Sequence, residues 1–300
     1  MIKAISDTKE MLGDRVFLRK AVLIALPVAL QGMLNTVVNL VDTMMIGQLG
    51  ETAIAAVGLA NKVFFVFTLL VFGVVSGSGV LAAQYWGNKD VKNIRKVTGL
   101  ALLIAFIGAL CFAIPSVLFP SAVMRIFTDS ESAVLSGAAY LAVAALSYPF
   151  TAVTNTYVAM LRAVGQVKAP VMVSCMTILV NITLNYVLIF GHFGVPAMGV
   201  VGAAIATLAA RVLECLVVLA ITYGSRSPIA GRFRELFGYS SAFIRQFLAT
   251  ASPVIANEFM WGLGTTMYSL AYGRMGDNAV AAITIATTIQ DIVVVLFQGL

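Results

Sequence analysis

Charged side chains are scarce in this sequence: they make up 11% of its 300 residues, whereas 60% of the residues are hydrophobic. Soluble domains carry about 25% charged residues, which form the polar surface that water requires. This composition excludes an ordinary soluble protein, because there are too few polar side chains to cover one. Lipid can cover an apolar surface instead, so the sequence predicts an all-α integral membrane protein.

Histidine and cysteine are also rare, and this excludes several kinds of site. The single histidine, His192, lies in a short predicted loop, so a metal site built from several histidines is excluded. The three cysteines, Cys111, Cys175 and Cys215, lie far apart in apolar runs and form no CxxC pair. We expect them to be small core residues without a disulfide framework. The sequence also lacks a Ser-His-Asp set and a phosphate-binding loop, so we expect neither enzyme activity nor a bound cofactor.

Long hydrophobic runs dominate the sequence. A transmembrane helix needs about 20 mainly apolar residues to cross about 30 Å of hydrocarbon. By this criterion we predict eight spans, at residues 21–46, 53–83, 94–119, 133–160, 166–191, 199–224, 243–272 and 278–300. The run after the polar segment 1–20 is too long for a signal peptide, so we interpret it as a true first span.

The positions of the basic residues test this count of spans. Fifteen of the 19 Lys and Arg residues fall in the N-terminal segment and in the second, fourth and sixth loops. Cytoplasmic loops of membrane proteins carry an excess of Lys and Arg, so we predict a multi-pass protein of the inner cell membrane with a cytoplasmic N-terminus. The net charge of +6 is therefore a topology signal and does not indicate nucleic-acid binding.

An ungapped internal repeat relates the beginning of the sequence to its end. Its most informative matches are Pro27 with Pro253, Gly47 with Gly273, and Gly50 with Gly276. The repeat begins after six spans, an even number, so both copies have the same orientation in the membrane. We therefore expect a six-helix lobe at 21–224, a cytoplasmic connection at 225–245 and the start of a second lobe at 246–300. Because the second copy stops after two spans, we interpret the chain as a truncated twelve-helix transporter.

Two spans carry polar stripes, which are costly in hydrocarbon and therefore mark candidate binding sites. The stripes recur at helical spacing, and they consist of Gln31, Asn35, Asn39 and Asp42 on the first span and of Thr177, Asn181 and Asn185 on the fifth. We predict that they form one polar pocket in the first lobe that binds a proton or Na⁺. The structural alternative is that the amides join the helices by hydrogen bonds.

Two more carboxylates lie deep in the predicted second lobe. Glu258 is near the middle of the seventh span, and Asp291 is at a similar depth in the eighth. A carboxylate at this depth must be protonated, paired or hydrated, so we predict that both groups take part in coupling or in substrate binding.

Other unusual residues in the spans have both ordinary and functional explanations. Lys62 can extend its long stem toward the interface, or it can pair with Asp42. Arg211 lies three residues before Glu214 on one helix, so the two can neutralise each other. Pro27 removes a backbone donor within the first span, where the resulting bend is either a hinge or a simple kink.

Several motifs occur along the chain in a particular order. They are VDTMMIGQLG at 41–50, AAQYWGNKD at 82–90, LRAVGQVKAP at 161–170, NITLNYVLIFGHFGVPAMGVVGAAIAT at 181–207 and NEFMWGLG at 257–264. Together with Pro27 they resemble the multidrug and toxic compound extrusion (MATE) transporters, over residues 15–300. The resemblance implies a two-lobed antiporter that exports organic cations in exchange for H⁺ or Na⁺. We expect a monomer whose partners are the lipid bilayer and small organic cations.

The resemblance also implies roles for individual residues. Asp42 matches the acid that the family carries on its first helix, and Glu258 matches the acid that the bacterial multidrug branch carries on its seventh. Asn181 and Asn185 match the polar pair on the fifth helix. Some members have aspartate at the second position of that pair, so Asn185 leaves this lobe with fewer carboxylates.

Two alternatives to a drug antiporter stay open at this stage. One is a related flippase for lipid-linked oligosaccharides, whose anionic headgroup would favour Lys or Arg in the cavity. The predominance of Asp42, Glu258 and Asp291 over unpaired basic groups in the spans favours a cationic substrate instead. The other alternative is a channel or a non-transporting membrane scaffold, against which the parallel repeat argues.

The predicted topology can be tested by cysteine labelling. Single cysteines near Lys92 and Arg232 should react with a membrane-impermeant maleimide only from the cytoplasmic side, and those near Gly50 and His192 only from the outside. The test uses a cysteine-free background and intact cells compared with inverted vesicles. Labelling of both pairs from the same side would contradict the eight-span arrangement.

Overall fold

A computed structural model describes residues 32, 38, 41–128 and 130–274 of the chain, and all of its regular structure in these ranges is helical. A helical segment at 41–47 precedes nine helices. These are α1 (Glu51–Gly87), α2 (Val91–Leu118), α3 (Pro120–Arg125), α4 (Glu131–Ala144), α5 (Tyr148–Ala163), α6 (Lys168–Phe190), α7 (Gly199–Gly224), α8 (Phe233–Phe237) and α9 (Ser241–Arg274).

Five helical stretches in the described part of the chain are long and apolar enough to cross a membrane. Four of them are the single helices α1, α2, α6 and α7, and the fifth consists of α4 together with α5. They correspond to the second to sixth predicted spans. The seventh predicted span falls within α9, a helix of 34 residues. The first predicted span is described only in part, and the eighth lies outside the described residues.

The fourth span is interrupted near its middle. A 3₁₀ turn at Ala145–Ser147 separates α4 from α5, and Pro149 lies in the first turn of α5. Proline has no backbone N–H and clashes with the carbonyl one turn earlier, so the helix cannot continue through this point with regular hydrogen bonds. The Ser147 hydroxyl donates to the carbonyl of Ala144 over 2.6 Å and satisfies one acceptor at the break.

Helix α1 lies at the centre of the packing and contacts α2, α4, α5 and α9. Its side chain Phe67 is fully buried and stacks on Tyr148 of α5, with ring centroids 4.9 Å apart and planes inclined by 8°. Phe64, one turn earlier, packs against the same tyrosine at 5.6 Å. These aromatic contacts fix the interrupted fourth span against the central helix.

Small residues allow α1 and α9 to pack closely in antiparallel directions. A Cβ atom on Gly73 would lie 3.0 Å from the Cα of Ile255, and one on Gly77 would lie 2.7 Å from the Cα of Ala251. In lipid, helices associate through such close van der Waals packing because apolar side chains gain little from leaving the acyl chains. The contact is therefore set by the glycines of α1.

The segment between α7 and α9, predicted as a loop, is folded onto one end of the bundle. It contains the short helix α8, which packs against α2. Arg95 of α2 donates from Nε to the carbonyl of Pro228 over 3.1 Å and forms an ion pair with Glu235 at 2.9 Å. Ile229 is fully buried, and the Ser227 hydroxyl donates to Gln166 over 2.8 Å.

The cysteine prediction is partly wrong. All three cysteines are free, as expected. Cys215 is buried and Cys175 is half-buried, but Cys111 is exposed on α2 rather than part of the core. In a membrane helix an apolar run does not distinguish core from surface, because a face that contacts lipid is as apolar as the interior.

The close contact between α1 and α9 leads to a prediction for paired substitutions. Gly77→Ala should destabilise the protein by about 1–3 kcal/mol, because the added methyl group overpacks against the α9 backbone. Gly79→Ala is the matched control: a Cβ there meets nothing within 4 Å, and alanine should stabilise the helix by up to about 1 kcal/mol. Thermal unfolding in nanodiscs measures both, and equal effects of the two substitutions would contradict the packing described here.

The attachment of α8 should depend on pH. A hydrogen bond from the backbone N–H of Arg232, assisted by Arg95, holds the pKa of Glu235 below its ordinary value of 4.5. A carboxyl with a lowered pKa contributes stability that is present above its unfolded-state pKa and is lost as the pH falls through the folded-state value. The protection of the amides in 233–237, measured as the ratio of the intrinsic to the observed hydrogen-exchange rate at each pH, should therefore fall below pH 4.5 and stay constant above it.

A pair of substitutions provides the control for this pH effect. Glu235→Gln should lower the protection of the amides in 233–237 at neutral pH and leave little further change in protection on acidification. Glu131→Gln removes an exposed carboxylate that pairs with Arg125 elsewhere on the surface, and it should leave the pH profile of this segment unchanged. The same acid response in both variants would show that Glu235 does not control the attachment.

Candidate substrate and cation site

A carboxylate and two carboxamides meet where the helical segment 41–47 approaches α6. Nδ2 of Asn185 donates to Oδ1 of Asp42 over 2.6 Å. Asn181 lies one turn before Asn185, and both asparagines are buried. Residues four apart share one face of a helix, so α6 presents both amides to the same carboxylate.

The amide of Asn181 has two useful orientations. In one, its Nδ2 donates to Oδ1 and Oδ2 of Asp42 over 3.2 and 3.3 Å, which suits an ionised carboxylate. In the other, its Oδ1 accepts from Asn185 over 3.3 Å and faces Asp42, which suits a protonated carboxyl that can donate. Carboxamides carry both donors and an acceptor, so this cluster can hydrogen-bond Asp42 in either protonation state.

The amide oxygen of Asn185, unlike its nitrogen, makes no hydrogen bond within the described residues. This oxygen, Oδ1, is buried. A buried acceptor left unpaired costs about 1–3 kcal/mol, so it needs an explanation. Side-chain and backbone oxygens are the ligands that coupling cations find in membrane transporters. Asp42 and the amide oxygens beside it are therefore chemically suited to hold a proton or Na⁺.

These residues line a large cavity that runs between the helices. Its volume is about 1120 Å³, and its wall includes Asp42, Asn181 and Asn185. Thr177, the third member of the predicted stripe on the fifth span, also lines it. The Thr177 hydroxyl donates to the carbonyl of Val173 over 2.9 Å, so its hydrogen bond is made within α6.

Helix α9 also lines the same cavity. Asn257, Glu258 and Trp261 all line it, and Glu258 is half-buried. We had predicted a polar pocket within the first lobe and had assigned Glu258 separately to the second lobe. The structure brings both carboxylates, Asp42 and Glu258, to one cavity, because α9 packs directly on α1.

The basic groups of the predicted spans have different environments. Nη1 of Arg211 lies 2.7 Å from Oε2 of Glu214, which confirms the predicted pair. Both side chains line the cavity. Lys62 is exposed, and the ion pairs among the described residues do not include it.

Three residues of the sequence-based site lie outside the described part of the chain. They are Asn39 on the first span, Asp291 on the eighth and the hinge candidate Pro27. Their roles stay predictions.

Sequence reasoning missed several polar residues that line the cavity, among them Tyr140, Asn155 and Arg162. Tyr140 is buried and lies within electrostatic range of Asp42. Arg162 lies just after the fourth predicted span, and sequence reasoning used it only as one of the basic residues that indicate a cytoplasmic loop. A helical plot of α4 and α5 could have placed these side chains on one face, but the break at Ala145–Ser147 changes the register between the two helices.

The family model MatE matches residues 27–187, more than half of the chain. The chain belongs to the MatE family. It is therefore a multi-pass membrane protein with this family's helical fold. Asp42, Asn181 and Asn185 fall inside the matched stretch, whereas α9 and Glu258 lie beyond it.

Curated relatives of this MatE chain carry names that refer to drug resistance. It is 26% identical to "Probable multidrug resistance protein YoeA" of Bacillus subtilis (strain 168), and the alignment covers 92% of the chain and 60% of that protein. It is 29% identical to "Probable multidrug resistance protein NorM" of Synechocystis sp., with 98% and 63% covered. The chain thus spans about three-fifths of the length of these relatives.

Solved MATE structures share the fold. The structure described as "Crystal structure of MATE in the bent conformation" superposes with a TM-score of 0.82 at 22% identity, covering 93% of this chain and 62% of that one. The one described as "Crystal structure of MATE in the straight conformation" gives a TM-score of 0.81 at 23% identity, with 93% and 62% covered. At these identities the likeness concerns the fold alone.

Proposed function

We propose that this MatE protein acts in the cell membrane, with its N-terminus in the cytoplasm, as an antiporter that exports organic cations in exchange for H⁺ or Na⁺. The observation that carries the proposal is that Asp42 and Glu258 line one and the same cavity. A cavity of about 1120 Å³ is large enough for a drug-sized molecule. The lining also includes aromatic side chains such as Phe64 and Trp261, which suit the rings of such a molecule.

Exchange requires that the coupling ion and the organic cation compete. Asp42 is suited to this because its charge disappears on protonation, while the adjoining amides satisfy both states by turning Asn181. Na⁺ would act in the same way by neutralising the carboxylate and using the unpaired Oδ1 of Asn185. In either case the loaded ion removes the negative charge that attracts an organic cation.

The remaining predicted residues take supporting roles in this proposal. Asn39 extends the polar face beside Asp42, and Pro27 is the hinge whose bend responds to cation loading. Glu258, with Asp291 in the same lobe, binds the organic cation or the coupling ion. Changes of charge at such sites bias alternating conformations because the ligand has a different affinity for each of them.

The cavity also offers an observation in favour of the flippase alternative. Arg162 is half-buried and lines it, and its guanidinium can bind an anionic headgroup. One structural neighbour, a MOP superfamily transporter from Pyrococcus furiosus, is described with the words "reverse polarity of binding pocket suggests different function". Among the described residues of this chain that line the cavity, the carboxylates Asp42, Glu214 and Glu258 outnumber the guanidinium groups, so a cationic substrate is favoured.

Competition between ethidium and the coupling ion tests the proposal. Ethidium should bind the protein in nanodiscs, and its affinity should fall by about tenfold as the pH is lowered or as Na⁺ is raised. In Asp42→Asn this dependence should be lost, because the exchangeable charge is gone. Glu258→Gln should weaken ethidium binding but keep the dependence on the coupling ion. Fluorescence titration measures each affinity.

A matched carboxylate outside the cavity provides the control. Asp90 caps α2, where it accepts from the backbone N–H of Asn93, and Asp90→Asn should behave as the wild type. Ethidium binding by Asp42→Asn that kept the full dependence on pH or Na⁺ would assign Asp42 a purely structural role. Binding of an anionic lipid-linked oligosaccharide in preference to ethidium would favour the flippase.

A further inference from the structure

An ion pair lies on the cavity wall near the Asp42 cluster, and the proposed function does not use it. Arg211 and Glu214 are one turn apart on α7 and 2.7 Å apart at Nη1 and Oε2. Their exposure differs: the Arg211 side chain is 37% exposed, whereas that of Glu214 is 9% exposed. Both residues line the cavity, and the guanidinium is the more accessible of the two charged groups.

The positive charge of Arg211 reaches beyond its partner. Arg211, Asp42 and Tyr140 line the same cavity, so the guanidinium charge acts across it on the Asp42 carboxylate. Among the described residues, the hydrogen-bond partners of Asp42 are the amides of Asn181 and Asn185, which carry no charge to neutralise it. The single guanidinium of Arg211 therefore attracts two carboxylates, those of Glu214 and Asp42.

The charged groups on the cavity wall show what this cation does to the whole site. The part of the lining that the structure describes contains three carboxylates, Asp42, Glu214 and Glu258, and two guanidinium groups, Arg162 and Arg211. Its formal charge is therefore −1 with all groups ionised, and it would be −2 without Arg211. Charges in a cavity of low dielectric constant interact strongly, so one unit of charge changes the affinity for a cation substantially.

We propose that Arg211 is a specificity-determining residue that serves as an internal competitor of the organic cation, an inference that rests on the proposed antiport of such cations. While Glu214 holds Arg211, the Asp42 carboxylate is available to the substrate. A guanidinium released from Glu214 is drawn to Asp42 and opposes substrate binding there. Because electrostatic energy scales with ligand charge, Arg211 disfavours divalent organic cations more strongly than monovalent ones.

A series of charge variants tests this inference with two related dyes. Ethidium carries one positive charge and propidium two, on the same ring system. Arg211→Gln should tighten ethidium binding by about tenfold and propidium binding by about a hundredfold. Glu214→Gln should weaken ethidium binding by about tenfold, because the guanidinium is released toward Asp42.

Two further variants separate charge from structure. The double variant Arg211→Gln/Glu214→Gln restores the cavity charge of the wild type and should bind both dyes within about threefold of it. Arg211→Lys keeps the charge and should also stay near the wild type. A merely structural ion pair predicts instead that every variant binds both dyes more weakly and by similar factors.

Arg125→Gln is the matched control, since it breaks an ion pair with Glu131 that lies outside the cavity and is exposed. It should change neither affinity. If Arg211→Gln fails to fold, as judged by thermal unfolding, Glu214→Gln decides the matter, and an unchanged ethidium affinity overturns the inference. Equal gains for ethidium and propidium in Arg211→Gln would also overturn it.

The wild-type titration separates this inference from the function on which it rests. Absence of ethidium binding to the wild type would overturn the proposed function and the role of Arg211 together. Ion-sensitive ethidium binding with no difference among the charge variants would leave the proposed function intact and overturn only the role of Arg211.

Discussion

In hydrocarbon, each polar group must find its partner inside the protein, and the arrangement of this chain follows from that constraint. The hydroxyls of Ser78, Thr98 and Thr177 each donate to the carbonyl one turn earlier on their own helix. Such groups need nothing further from their surroundings. The chemistry of the cavity is therefore left to a few side chains, such as Asp42 and Glu258, that face it from different helices.

The central helix α1 positions the other helices that line the cavity. Helix α1 packs on α2 and α5 through aromatic rings and on α9 through glycines, so it fixes the position of α9 relative to the other helices that line the cavity. The small residues matter as much as the charged ones. If α9 lay farther from α1, Glu258 would face a wider and wetter space, in which the fields of the two carboxylates would be screened by solvent.

The sequence predicted the helices well because the length and polarity of a membrane span are local properties. The run 199–224 was predicted with the bounds of α7, and the pairing of Arg211 with Glu214 followed from their spacing on one helix. The break at Ala145–Ser147 was not predicted, although Pro149 is a local signal for it. Helix α8 was missed because five residues are too few to give a periodic pattern.

From the sequence, the site could be predicted only as polar faces of individual helices, and not as the contacts between those faces. The stripe of Asn181 and Asn185 is visible in the sequence, but its hydrogen bond to Asp42 joins residues 143 positions apart and depends on how the helices pack. The meeting of Glu258 and Asp42 in one cavity depends on the contact of α1 with α9, which no local pattern encodes. The exposure of Cys111 likewise depends on which face of α2 the other helices cover.

Because α1 is longer than the bilayer is thick, the thickness of the membrane influences the shape of the cavity. Its 37 residues extend over about 55 Å, whereas the hydrocarbon layer is about 30 Å thick. The helix must tilt or project, and Trp86 near its end is exposed where an aromatic ring would favour the headgroup region. Phe64 and Thr68 of the same helix line the cavity. A thicker or thinner bilayer would favour a different tilt of α1, and the lipid composition of the cell would thereby adjust the width of the space between Asp42 and Glu258.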